Sequence, residues 1–300
     1  MSRKSTQPTA TLNNGVTLPL LGFGVFQTPP DVTMEAASEA LRVGYRLIDT
    51  AAAYLNERQV GEAVARSGLG RSELFVTTKL WLSDYGYESA LRAFDVSARK
   101  LGLDCVDFYL LHQPLPSDFE ATIASYRAAA KLLDDGRTRA IGVSNFNAEL
   151  LERLIDATGV VPAANQIEVH PYFAQPELRA VHQRLGIVTQ AWSPLGQIYV
   201  YQASGPGGGR NVFDDPVLTR IAAAHGKSPA QVILRWHIHH GTSAIPKSVR
   251  PARIAENFDI FDFELGADEM LAIDGLDTGV RGGPEPASLD ARRHAFQIPN

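Results

Sequence analysis

The chain has 300 residues, enough for two average domains or one α/β barrel, and enough to bury a large core without cross-links. It is 45% hydrophobic and 20% charged, with a net charge of −5. That mild acidity argues against nucleic acid as the main partner, because neutralising a phosphate backbone needs a basic surface.

Cys105 is the only cysteine, which excludes an internal disulfide. Within the apolar run CVDFYLL it is expected to be buried and inert. The opening MSRKSTQPTA has no apolar run behind it, and no stretch approaches the roughly 18 apolar residues of a membrane span. A cytoplasmic location is therefore expected.

In chain order, TLNNGVTLPL places an Asn-Gly turn between apolar runs and predicts a small hairpin. LLGFGVF (20–26) is the first strand of the main sheet, followed by a helix over Met34–Val43 after Asp31. RLIDT (46–50) precedes a helix at Glu57–Arg66, with Asn56 as its expected cap. LFVTTKL (74–80) precedes Tyr87–Leu101, and VDFYLLH (106–112) precedes Phe119–Asp134. AIGVSN (140–145) leads to Ala148–Ala157, capped by Asn147, and ANQIEV (164–169) leads to Pro176–Leu185. IVTQAWS (187–193) is followed by the glycine-rich segment 196–213, which has no period and reads as a long loop suited to a lid. Pro216–His225 is helical, Ser228 is a further cap residue, and SAIPKS (243–248) is the eighth strand. A helix and an irregular tail fill 267–300.

The strand runs are almost purely apolar until their last residues, as in parallel strands covered on both faces. Eight β-then-α units predict a (β/α)8 TIM barrel occupying 1–300 as one domain. A doubly wound dinucleotide fold is disfavoured. Gly22-Phe23-Gly24 begins a glycine motif, but Gln27 stands at the third glycine position, and Pro29 and Pro30 follow.

Barrel chemistry sits at the C-terminal strand ends. There the sequence places Asp49, Lys79 and His112 on three successive strands. Ser144 and Asn145 come next, then Gln166, Glu168 and His170, then Trp192 and Ser193, and last Lys247 and Ser248. Tyr54, on the loop after the second strand, can lean over this group.

Alone, a Lys–Asp pair reads as a structural ion pair and His112 as a core histidine. Together they suit protonation of an oxygen on which charge builds. The expectation is that Lys79 lowers the pKa of the Tyr54 phenol, that Asp49 keeps Lys79 charged, and that His112 orients a carbonyl oxygen. That pattern matches carbonyl reduction, in which a cofactor supplies the hydride. The run WHIHH (236–240) is read as helix-end histidines favoured by the dipole, so no metal site is expected.

The segments GFGVFQTPP, RLIDTAAAYLNE, KLW, DFYLLHQP, AIGVSNF, NQIEVHP, QAWSPLG and IPKSVRPARIAENF, in this order, resemble the aldo-keto reductases. The likeness is nearest to the bacterial 2,5-diketo-D-gluconate reductase group. It implies a catalytic tetrad of Asp49, Tyr54, Lys79 and His112, with Tyr54 as general acid. It implies NADPH as cofactor. Ser144, Asn145 and Gln166 would bind its carboxamide, Trp192 would stack on the nicotinamide, and Ser193 and Leu195 would lie on the pyrophosphate side. Lys247, Ser248, Val249 and Arg253 would hold the 2′-phosphate, with Glu256 and Asn257 near adenine, and Val25 joins the cofactor contacts. Phe26 and Trp81 would line the substrate opening.

A small carbonyl compound is the implied partner, and a monomer the implied state. Two departures bear on specificity: Gln113 stands where the family has Trp, and Leu55 where it has Gly. The competing readings are an NADP(H)-sensing binding protein and a Schiff-base aldolase using Lys79.

Overall fold

The computed structural model describes residues 7–196, 211–286 and 296–299. A hairpin comes first, β1 (Thr9–Thr11) and β2 (Thr17–Pro19), paired antiparallel with Ala10 opposite Leu18. Its turn needs a left-handed residue, and Gly15 supplies one at φ 84°.

Eight parallel strands follow: β3 (Gly22–Gly24), β4 (Leu47–Asp49), β5 (Phe75–Leu80), β6 (Val106–Leu111), β7 (Thr138–Ser144), β8 (Ala164–Glu168), β9 (Val188–Trp192) and β10 (Ser243–Ala244). They pair in chain order, and a parallel bridge from Leu21 to Ala244 closes the ring. This is the expected barrel.

Six helices fill successive crossovers: α1 (Pro30–Val43), α2 (Glu57–Arg66), α3 (Tyr87–Leu101), α4 (Phe119–Asp134), α5 (Ala148–Thr158) and α6 (Pro176–Leu185). Two more, α7 (Pro216–His225) and α8 (Pro229–His239), lie between β9 and β10. α9 (Pro251–Phe258) and α10 (Ala267–Asp274) close the sequence of elements.

The two-residue period of a strand sorts the core into two layers. Leu47, Phe75, Phe108 and Leu110 point inward, where Leu12 and Leu18 of the hairpin join them and cork the N-terminal mouth. Ile48, Val76, Tyr109 and Ile141 point outward against the helices. Counting two residues on from the inward positions gives Asp49, Thr77 and Lys79, His112, Ser144, Gln166 and Glu168, Gln190 and Trp192. The apolar plug is therefore topped by a polar layer at the C-terminal mouth.

Several local expectations are corrected. The first main strand is only Gly22–Gly24, because a turn closed by the Thr28 N–H on the Val25 carbonyl at 3.1 Å follows it, and β10 stops at Ala244 rather than running to residue 248. Helix α1 begins at Pro30, four residues before the expected start, with Asp31 inside its first turn rather than ahead of it. Asn56 precedes α2 but makes no capping bond. Its Oδ1 accepts from Thr50 Oγ1 at 2.8 Å, and its Nδ2 donates to the carbonyls of Val25 and Thr28 at 3.0 and 3.1 Å. It thus ties the exits of β3 and β4 together.

Asn147 and Ser228 do cap, accepting from Leu150 N and Gln231 N. Cys105 is half-buried, not buried. Of the expected loop, 197–210 lies outside the described residues, and Val212–Asp214 forms a short 3-10 turn. No helix among the described residues is long and apolar enough to cross a membrane.

Candidate active site

Lys79 is fully buried and stands at the centre of the polar layer. Its ammonium donates to Asp49 Oδ1 at 2.5 Å, to the Thr50 carbonyl at 2.9 Å and to the Tyr54 hydroxyl at 3.4 Å. Three donors meet three acceptors, which is what a buried ammonium requires. Tyr54 reaches this place because the Ala52–Tyr54 segment forms one 3-10 turn directly after β4. Small residues there let the phenol fold back over the strand end.

The other oxygen of Asp49 accepts from Gln166 Nε2 at 2.7 Å. Gln166 also donates to Gln190 Oε1 at 2.7 Å, and Gln190 donates to Ser243 Oγ at 3.1 Å. A hydrogen-bonded chain therefore crosses the barrel from Tyr54 to β10. The Thr50 carbonyl and Gln190 were not among the expected site residues. Gln190 is signalled by the inward period of β9, whereas a backbone carbonyl just beyond β4 has no side-chain signal in the sequence.

Burial pushes the Asp49 carboxyl up and the Lys79 ammonium down, and the contact between them opposes both shifts. Tyr54 overturns an expectation. Its phenol is pushed up, first by burial and then by the Asp49 charge, rather than lowered by Lys79. Burial, and secondarily the Lys79 charge, hold His112 well below the usual histidine range, so its imidazole is neutral near pH 7.

His112 packs edge-on to Tyr54 at 5.5 Å and to Trp81 at 5.1 Å between ring centroids. Two buried nitrogens in this cluster, His112 Nδ1 and Trp81 Nε1, have no hydrogen-bond partner. Unpaired buried donors or acceptors are costly, and a mouth is where a bound molecule can satisfy them. Phe26 is 54% exposed and tilts over Tyr54 at 5.1 Å, making the rim apolar.

A second group adjoins the first. Asn145 holds a left-handed backbone at φ 67° and donates to the His112 carbonyl at 3.1 Å and to Ser144 Oγ at 3.0 Å. Its Oδ1 accepts from Trp192 Nε1 at 2.9 Å. Ser144 donates to the Gln166 carbonyl at 2.8 Å. Ser193, also left-handed at φ 45°, turns the chain after β9, and Leu195 packs on the core. Val25 is fully buried, and its backbone already pairs with Asp49 and Asn56.

A third group lies after β10. Lys247, Arg250 and Arg253 are exposed, with Ser248 and Val249 among them, at the N-terminus of α9. Ser248 Oγ accepts from Arg250 N at 3.1 Å, and Asn257 is buried one turn beyond Arg253, beside Glu256. Three cations, a hydroxyl and a helix N-terminus are the donor set a phosphate dianion asks for. Arg250, the exposed residue just before α9, was not among the expected cofactor residues.

The bearing of Leu55 on specificity, which the sequence leaves open, meets a simple placement: the residue is exposed at the surface. Its side chain lines a surface groove with Arg58, Lys100 and Pro299. Gln113 offers its carbonyl to the Tyr85 hydroxyl. The WHIHH histidines have separate partners: His237 the Pro194 carbonyl, His239 Glu264 and His240 Asp274. No group among the described residues could hold a metal ion.

The chain is 56% identical to the morphine 6-dehydrogenase of Pseudomonas putida over 289 residues, 96% of this chain and 97% of that protein. It is 45% identical to a methylglyoxal reductase of Escherichia coli over 275 residues, 92% of this chain and 95% of that one. Among solved structures, a variant of Gox0644 in complex with NADPH superposes with a TM-score of 0.86 at 42% identity, covering 95% of this chain and 100% of that chain. With the family's sequence profile matching residues 20–278, and the barrel and its polar mouth in place, the chain belongs to the aldo/keto reductase family.

Proposed function

We propose that the protein is an oxidoreductase that reduces the carbonyl of an aldehyde or ketone with NADPH. The observation that carries this reading is the position of Lys79 Nζ, 2.5 Å from Asp49 and 3.4 Å from the Tyr54 hydroxyl, at the open end of the barrel. Bound NADPH supplies the hydride to the carbonyl carbon.

Tyr54 then gives its proton to the carbonyl oxygen. A phenol pushed up in pKa stays protonated at neutral pH, and Lys79 stabilises the phenolate left behind. Asp49 keeps the ammonium charged and in place. The neutral imidazole of His112 orients the oxygen, and Phe26 and Trp81 offer the carbonyl compound an apolar rim.

The remaining polar groups suit the nucleotide. Trp192 offers a ring face, steadied by Asn145. Gln166 and Ser144 border the same space, with Ser193 and Leu195 along the β9 exit. Lys247, Ser248, Arg250 and Arg253 suit the 2′-phosphate that distinguishes NADPH from NADH. A Schiff-base role for Lys79 has no such support, because all three of its donors are engaged.

One relative is named for dehydrogenation of morphine and another for reduction of methylglyoxal, so both directions belong in the assay. Titration with NADPH and NADH, followed by turnover on dicarbonyls, aromatic aldehydes and polycyclic alcohols, tests the reading. Tight NADPH binding with weak NADH binding is expected. No binding of either nucleotide would sink it.

A further inference from the structure

The inner faces of β8 and β9 carry two layers at the mouth. Gln166 and Gln190 form the lower one, and Glu168 and Trp192, which pair in register, form the upper one. The reading above gives no task to Glu168, yet this carboxylate is fully buried. Its Oε1 accepts from the backbone N–H of Gly282 at 2.7 Å, and its Oε2 from that of Gly283 at 2.8 Å. His170 Nε2 lies 3.1 Å from Oε1, and the Arg281 guanidinium 3.8 Å from Oε2.

These two N–H groups come from a segment 114 and 115 positions further along the chain. The same segment is tied to the loop after β8 at two more points. Thr278 donates to the Tyr172 carbonyl through its N–H at 3.0 Å and its hydroxyl at 2.8 Å. The Arg281 guanidinium lies 4.9 Å from the centre of the Phe173 ring.

Gly283 sits directly against Trp192. A Cβ on Gly283 would come within 2.4 Å of Trp192 Cη2 and 3.0 Å of Glu168 Oε2. The indole is therefore held at both ends. Asn145 fixes its N–H, and the backbone of Gly283 backs its six-membered edge. Only a residue without a side chain allows that approach.

We propose that Glu168 is a positioning residue: through its paired bonds to Gly282 and Gly283 it presses the 281–283 segment against Trp192 and so sets the ring face offered to the nicotinamide. The inference rests on the reading of Trp192 as a cofactor contact. A carboxylate receiving two backbone N–H groups makes charge-assisted bonds that an amide cannot reproduce, since an amide brings one acceptor and one donor to the same two donors.

The test has two arms. Without nucleotide, hydrogen exchange at the Gly282 and Gly283 amides should be slow in the parent protein and fast in Glu168→Gln. Unchanged protection of both amides in that variant overturns the proposal. With nucleotide, Gly283→Ala should raise the NADPH dissociation constant about tenfold. In a Trp192→Ala background the same substitution should have almost no effect, because the ring it displaces is gone. An equal effect in both backgrounds, or none in either, overturns the proposal. Failure of the parent protein to bind NADPH would overturn the functional reading instead, and the exchange arm still decides the clamp.

Discussion

Lys79 Nζ lies 3.4 Å from the Tyr54 hydroxyl and 4.8 Å from the centre of its ring, so the cation stands by the oxygen end of the phenol. At that distance the hydrogen bond is weak in the resting site. Burial and the Asp49 charge both hold the phenol protonated. The pair is therefore arranged to keep the proton until an acceptor arrives.

Tyr54→Phe removes only the hydroxyl. It should lower kcat by about 10²- to 10⁴-fold, the usual contribution of a positioned general acid, while NADPH binding changes little. The pH profile follows from the same groups. Tyr54 titrates above its ordinary 10.0 and His112 below its ordinary 6.5, so the reduction rate should show no inflection between those values. Steady-state kinetics across that range decide the matter, and a break near 7 would assign the acid elsewhere.

The Asp49–Lys79 pair is a commitment of the fold as well as of the site. Lys79→Met leaves Asp49 buried with Gln166 alone, and losing one partner of a buried pair costs about 3–5 kcal/mol. The double variant Asp49→Asn, Lys79→Met should lose less than Lys79→Met, because no unpaired charge remains. Urea denaturation of both variants measures the difference. A double variant less stable than either single one would contradict this account.

Asp49, Lys79 and His112 were legible because each ends an apolar run with an inward polar residue, and a period of two puts them in one layer. Helices such as Tyr87–Leu101 were legible from their apolar spacing. Asn56 was not, because a cap and a buried cross-link use the same residue type and only the contacts distinguish them. The Tyr54 shift was missed because burial outweighs the neighbouring ammonium, and burial is a property of the assembled barrel. Glu168 meets Gly282 and Gly283 across more than a hundred residues, a pairing with no local signature.

Leu55 stands in the left-handed region at φ 58°, with its side chain 45% exposed. A Cβ in that region costs roughly 1–2 kcal/mol, which glycine avoids. Leu55→Gly should therefore be more stable than Leu55→Ala by about 1 kcal/mol, reversing the order expected where φ is negative. Activity should be equal in both, since Leu55 lines a surface groove with Arg58 and Lys100 and makes none of the hydrogen bonds that join Asp49, Tyr54 and Lys79. Thermal denaturation of the two variants is sufficient, and an alanine variant as stable as the glycine one would show the turn to be unstrained.

Two buried histidines make stability depend on acid. Asn165 Nδ2 donates to His182 Nε2 at 3.0 Å, so the ring must donate to Thr189 Oγ1 through Nδ1 and is neutral. His237 gives its Nε2–H to the Pro194 carbonyl at 3.0 Å, and its Nδ1 is buried without a partner. Burial, first among the causes for each, lowers His182 to about 4 and His237 to about 3.

The unfolded chain takes up these protons at about 6.5, the folded one only well below that. Between those values the unfolded state binds more protons, so stability rises with pH there. The contribution is complete above 6.5 and is lost as the pH falls toward 4. Each histidine adds a slope of up to about 1.4 kcal/mol per pH unit in that window. The melting temperature should therefore drop steeply from pH 6.5 to 5, and His182→Gln, which keeps an amide for Asn165 and Thr189, should flatten the drop. An unchanged slope in His182→Gln would place the acid sensitivity in other groups.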